Sequence, residues 1–136
     1  MPARCALCNG NGEIVVWRDA RCRVVRADVE GYPGFMRVVL ERHVAEMTDL
    51  EPTERDRLMH VVFAVERGLR ELYRPDKVNL ASFGNQVPHL HWHVIPRYRD
   101  DPHFPEPVWG VLQRKGAARS SVLDTRLAER LTELLG

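Results

Sequence analysis

Residues 89–95 read His-Leu-His-Trp-His-Val-Ile, and imidazole alternates with an apolar side chain through the first six of them. A period of two belongs to a β-strand, because successive side chains of a strand leave opposite faces. His89, His91 and His93 therefore share one face, with successive rings expected about 7 Å apart, while Leu90, Trp92 and Val94 face the other way. An apolar strand face needs a covering layer. Leu58, Val61, Val62, Val65, Leu69 and Leu72 recur at three- and four-residue steps and predict an amphipathic helix that supplies it. Pro52 suits the first turn of that helix, and Arg74-Pro75-Asp76 ends it.

Strands are also predicted over 13–17, 23–26, 35–40 and 77–83, with the breaker cluster Gly31-Tyr32-Pro33-Gly34 before the third. Prolines make 100–107 irregular. Leu123, Leu127, Leu131 and Leu134 predict a C-terminal helix over about 121–135. One long helix among runs of strands implies an α+β fold, with an antiparallel sheet of about five strands and a shorter C-terminal helix. No repeat or low-complexity linker divides the 136 residues, so one domain over 1–136 is expected, with 115–136 as a helical extension.

Lys+Arg 20 against Asp+Glu 19 leaves a formal charge of +1, so neither a nucleic-acid polymer nor a membrane surface is an expected partner. No apolar run nears the roughly 20 residues that span a bilayer. The start, Met1-Pro2-Ala3-Arg4-Cys5, has no apolar stretch of the secretory kind, and a cytoplasmic location is expected. Three cysteines do not close a disulfide framework. Cys5-Ala6-Leu7-Cys8, ahead of Asn9-Gly10-Asn11-Gly12, reads as half of a zinc site in a turn-rich segment, 1–12. A redox pair is the alternative, and Cys22 reads as a small buried hydrophobe.

Three histidines on one strand face are poorly explained as core or surface residues placed by chance. Imidazole near neutral pH serves as nucleophile, general acid or phosphate ligand, and also as a zinc ligand. A straight row converges poorly on one ion and suits the several oxygens of a phosphate. His60, inside the long helix, and His103, in the proline-rich segment, read as packing and loop residues.

His89-Leu90-His91-Trp92-His93-Val94-Ile95, with Gly84-Asn85-Gln86-Val87-Pro88 before it and Pro96-Arg97 after, resembles the signature of the histidine triad (HIT) superfamily. The resemblance extends upstream through Pro33-Gly34-Phe35, His43 and Asn79. It implies nucleotidyl transfer or hydrolysis at an α-phosphate, with His91 as nucleophile, His89 and His93 bracketing the phosphate oxygens, and Asn79 contacting the nucleotide. Phe35 stands where many relatives carry a fourth histidine. Gln86 stands where many carry Ser or Thr near the scissile oxygen. The resemblance also implies a ribose contact at Asp28, and a structural zinc on Cys5, Cys8, His43 and His89. The expectation is a nucleotide hydrolase acting on a dinucleoside polyphosphate or nucleoside phosphoramidate, working as a homodimer. Transfer to an acceptor other than water, or a nucleotide-binding module with little turnover, are the alternatives.

Overall fold

The computed structural model describes residues 5–136, so the first four residues of the 1–12 segment lie outside the described ones. A one-turn helix α1 (Ala6–Asn9) leads into strands β1 (Ile14–Arg18), β2 (Cys22–Arg26) and β3 (Met36–Leu40). The long helix α2 (Pro52–Tyr73), strands β4 (Lys77–Ala81) and β5 (His91–Arg97), and helix α3 (Asp124–Leu135) follow. All five strands join one antiparallel sheet in the order β1-β2-β3-β5-β4. The α+β architecture read from the sequence is the one observed.

α2 starts at Pro52 because Glu51 and Glu54 form a capping box around the first turn, and it stops at Arg74, which turns left-handed at φ 49°. Its Leu58, Val61, Val62, Val65 and Leu69 are buried with Met36, Val38 and Val94 from the sheet and with Leu90 just before β5. No helix among the described residues is long and apolar enough to cross a membrane.

β5 begins two residues later than the alternation predicts. The His89 N–H bonds the Val87 carbonyl at 2.8 Å, and this tight turn keeps His89 and Leu90 out of the strand proper. α3 likewise starts at Asp124, leaving Leu123 73% exposed, and buries Leu127 and Leu131. Gly68 of α2 lies beneath α3, where a Cβ would come within 2.7 Å of the Leu127 side chain. The Tyr73 hydroxyl accepts from the Val122 N–H at 2.9 Å.

The sheet face opposite α2 carries a second small core of Ala27, Tyr32, Phe35 and Ile95, with Val108 against it. A strap over residues 98–113 crosses this face and is tied down by buried charges. Arg97 and Asp101 form a bidentate pair, at 2.8 and 3.1 Å, and are each 2% exposed. Asp101 also accepts from the backbone N–H groups of Tyr98, His103 and Phe104.

Candidate active site

β5 lifts His91 and His93 onto the strap-side face, beside β3, where His91 pairs with Val39 and His93 with Arg37. Their ring centroids are 5.1 Å apart at 85°, closer than a straight row allows because the rings turn edge to face. The His91 Nδ1–H donates to the backbone carbonyl of His89 at 2.6 Å. That bond fixes the tautomer and leaves the Nε2 lone pair free. His91 is half-buried and lines a pocket of about 520 Å³ together with His93, Arg37, Gln86, Phe83 and Trp109. Gln86 thus lines the same pocket as His91.

His93 is 7% exposed, packed among Phe35, Phe83 and Trp109 with centroid separations of 5.6, 6.2 and 5.0 Å. Burial, then the neighbouring His91 and the Arg37 charge, push it down to about 4, so it is neutral at neutral pH. Its Nδ1 is buried without a partner. Phe35 is a buried ring set edge to face against His93.

His89 faces elsewhere. Its Nε2–H donates to the Leu40 carbonyl at 2.6 Å, which leaves Nδ1 as a bare lone pair. That atom stands 3.4 Å from Cys5 Sγ, 3.3 Å from Cys8 Sγ and 3.2 Å from His43 Nδ1, and Cys8 Sγ lies 3.2 Å from His43 Nδ1. The four ligand atoms all fall within 4.8 Å of one another. A tetrahedral zinc with bonds of about 2.0–2.3 Å sets edges of about 3.3–3.8 Å, close to these separations. Three heavy atoms cannot all share one lone pair through hydrogen bonds, whereas one ion at their centre satisfies all four. The Leu40 carbonyl on the far nitrogen is the outer support that metal-bound histidines use. The donor set thus fits a structural metal ion.

With both ring nitrogens engaged, His89 does not present a nitrogen to the pocket as the bracketing role requires. It reaches the site through its carbonyl on His91. The cluster also positions a wall of the pocket, since Ala6 and Leu7 of α1 line it between the two cysteines. Buried Arg23 donates to the Leu7 carbonyl and pairs with Glu13 and Glu41. Cys22, 1% exposed, is a core residue whose thiol burial pushes up to about 12.

Two expected nucleotide contacts stand apart from His91. Asn79 accepts from Arg97 through Oδ1 at 2.7 Å and lines the neighbouring groove, which meets the histidine pocket at Phe83 and Trp109. Asp28, with a side chain 69% exposed, pairs with Arg26 at 2.8 Å and opens onto a different cleft of about 810 Å³ that holds none of the triad. The cause is the alternation of the chain. The Ala27 N–H bonds the Phe35 carbonyl, its side chain turns in beneath Phe35 and Ile95, and the next residue must turn out.

Arg37 and Phe83 are pocket residues that sequence reasoning did not assign. Trp109, in the proline-rich segment after the triad, was a candidate to reach the site or a second subunit, and it lines the pocket. A charged residue between Met36 and Val38, in step with the triad face, was the available signal for Arg37.

Residues 10–100 match the HIT domain family. A histidine triad protein from Bradyrhizobium japonicum superposes with a TM-score of 0.72 at 30% identity, covering 91% of each chain. One from Marinobacter aquaeolei gives 0.70 at 29%, covering 90% of this chain and 88% of its own. An AP-4-A phosphorylase of Mycobacterium tuberculosis is 33% identical over 94 residues, 62% of this chain and 48% of its own length. An asymmetrical bis(5'-nucleosyl)-tetraphosphatase of Schizosaccharomyces pombe is 29% identical over 87 residues, 60% and 48% respectively. The chain spans about half the length of these curated relatives. With a family match over most of its length and a triad strand facing a pocket, this chain belongs to the HIT family.

Proposed function

We propose that this protein hydrolyses a nucleoside phosphate derivative at its α-phosphate through a covalent nucleotidyl-His91. The observation that carries the reading is the His91 Nδ1–H bond to the His89 carbonyl, which leaves Nε2 as the lone pair at the pocket. His91 Nε2 forms a bond to the α-phosphorus, the bond to the leaving group breaks, and that group departs with the electron pair. Water then adds to phosphorus, His93 serves as the base for its proton, and the P–N bond breaks to free a nucleoside monophosphate. Gln86 donates to oxygens at the scissile bond. The Phe83 and Trp109 rings, 5.0 Å apart at 83°, offer faces on which a nucleobase stacks. The named activities of the curated relatives support dinucleoside polyphosphates as the substrate class.

His91→Gly should lose several orders of magnitude in turnover on a panel of diadenosine polyphosphates and adenosine phosphoramidates, while AMP binding survives. Near-wild-type turnover on any of them overturns the mechanism. The Mycobacterium relative's name, a phosphorylase, keeps phosphate as an acceptor in view. Nucleoside diphosphate formed in added phosphate, in place of the monophosphate, would identify nucleotidyl transfer to phosphate.

The same reading assigns one zinc to Cys5, Cys8, His43 and His89. The ion would supply structure, fastening α1 and the His89 backbone that orients His91. Residues 1–136 are read as one HIT domain, working as a homodimer. Reduced thiols suit the cytoplasm.

A further inference from the structure

We propose that Arg37 is the cation that holds the non-bridging oxygens of the phosphate attacked by His91, an assignment that rests on the nucleotide reading above. Arg37 and His93 are directly opposed on adjacent strands, which brings their Cβ atoms to about 5 Å on one face. Both line the pocket with His91. The Arg37 Nε is buried without a partner, and no described residue hydrogen-bonds or ion-pairs with the side chain. The two deeply buried guanidiniums elsewhere are each matched to carboxylates, Arg23 to Glu13 and Glu41, and Arg97 to Asp101. A half-buried charge left without a counter-ion is costly unless an anion completes it. No acidic residue lines this pocket, so nothing there competes for the guanidinium.

The histidines do not supply that charge. His89 has both nitrogens engaged, His91 needs a bare lone pair to attack, and burial beside His91 and Arg37 holds His93 neutral. Arg37 is the one formal cation among the pocket's described lining residues. Its planar fork matches two oxygens of one phosphorus, and charge on those oxygens grows as Nε2 bonds. The ligand class is therefore an esterified or anhydride-linked phosphate carrying a base, rather than a bare nucleoside.

The test is calorimetric titration of AMP and of adenosine into wild type, R37M and R37K, alongside kcat/KM on diadenosine tetraphosphate. R37M should weaken AMP roughly tenfold or more while leaving adenosine unchanged. It should lower kcat/KM about 10²–10³-fold, with R37K between the two. Equal AMP affinity in R37M and wild type overturns the assignment, as does a wild type that binds AMP no tighter than adenosine. If R37M fails to fold, R37K decides, because a point charge in place of the fork should still weaken AMP severalfold. A wild type that binds AMP through Arg37 yet cleaves nothing would sink the hydrolase reading and leave Arg37 as the phosphate ligand.

Discussion

Each imidazole has two nitrogens, and how they are used divides the triad into different jobs. His91 ties one to a carbonyl and keeps the other as a bare lone pair at the pocket, His89 has none left to present there, and His93 stays neutral. Asp101 shows the same accounting for a carboxylate, since Arg97, three backbone N–H groups and the Tyr32 hydroxyl all converge on it. These donors hold its carboxyl well below the usual carboxylate range, against the opposing effect of burial. Asp101→Asn leaves the Arg97 charge uncompensated and should cost about 3–5 kcal/mol in chemical denaturation. A carboxyl depressed on folding stabilises above its unfolded pKa, so wild type should lose this contribution below about pH 4, whereas the variant should not. A variant with unchanged stability would show that the strap is held by other contacts. The shared-face positions of His91 and His93 were legible because alternation fixes a face. Those of Asp28 and Asn79 were not, because a one-residue shift reverses a face, and Arg97 claims the Asn79 oxygen. Arg37 was missed because position alone does not reveal that a guanidinium lacks an acid.

Among the elements, α2 was readable because Pro52 and the apolar stripe point to the start that the Glu51–Glu54 capping box fixes. β5 was displaced because the turn at Val87–His89 depends on backbone bonding that side-chain alternation does not encode. The role of α3 was hidden for a different reason. Gly68 is a weak point for a helix by propensity, yet it is the seat for Leu127, so α3 covers this face of α2. The segment with most to gain from a ligand is α1, a single turn with no buried residues of its own. Its hold on the sheet comes from Arg23 and the Cys/His cluster, and metal binding there is linked to folding. Tag-free protein should carry about one zinc per chain, and Cys5→Ser should lose the metal and melt several degrees lower. Metal-free protein together with a thermally silent Cys5→Ser would make the cluster an ordinary set of contacts.

For the molecule as a whole, the open sheet leaves β1 and β4 as edges. β1 carries an irregularity between Val15 and Trp17, a device that blunts edge pairing, and α3 packs beside it. β4 pairs regularly with β5 and has no such break. Glu66 of α2 borders the groove along β4, and the same helix exposes Phe63 at 54%, so an apolar ring stands near an unblunted edge. A two-fold mate placed here would extend the sheet through β4 and bury Phe63 against its symmetry copy. The Ala64–Gly68–Tyr73 side of α2 is not open to a mate, because α3 covers Gly68 and the Val122 N–H bonds the Tyr73 hydroxyl. Light scattering at micromolar concentration should therefore give about twice the chain mass of 15.7 kDa, and Phe63→Glu should shift it toward a single chain without lowering the melting temperature of the monomer. A wild-type mass of one chain defeats the dimer, and a dimer indifferent to Phe63→Glu moves the interface away from this edge.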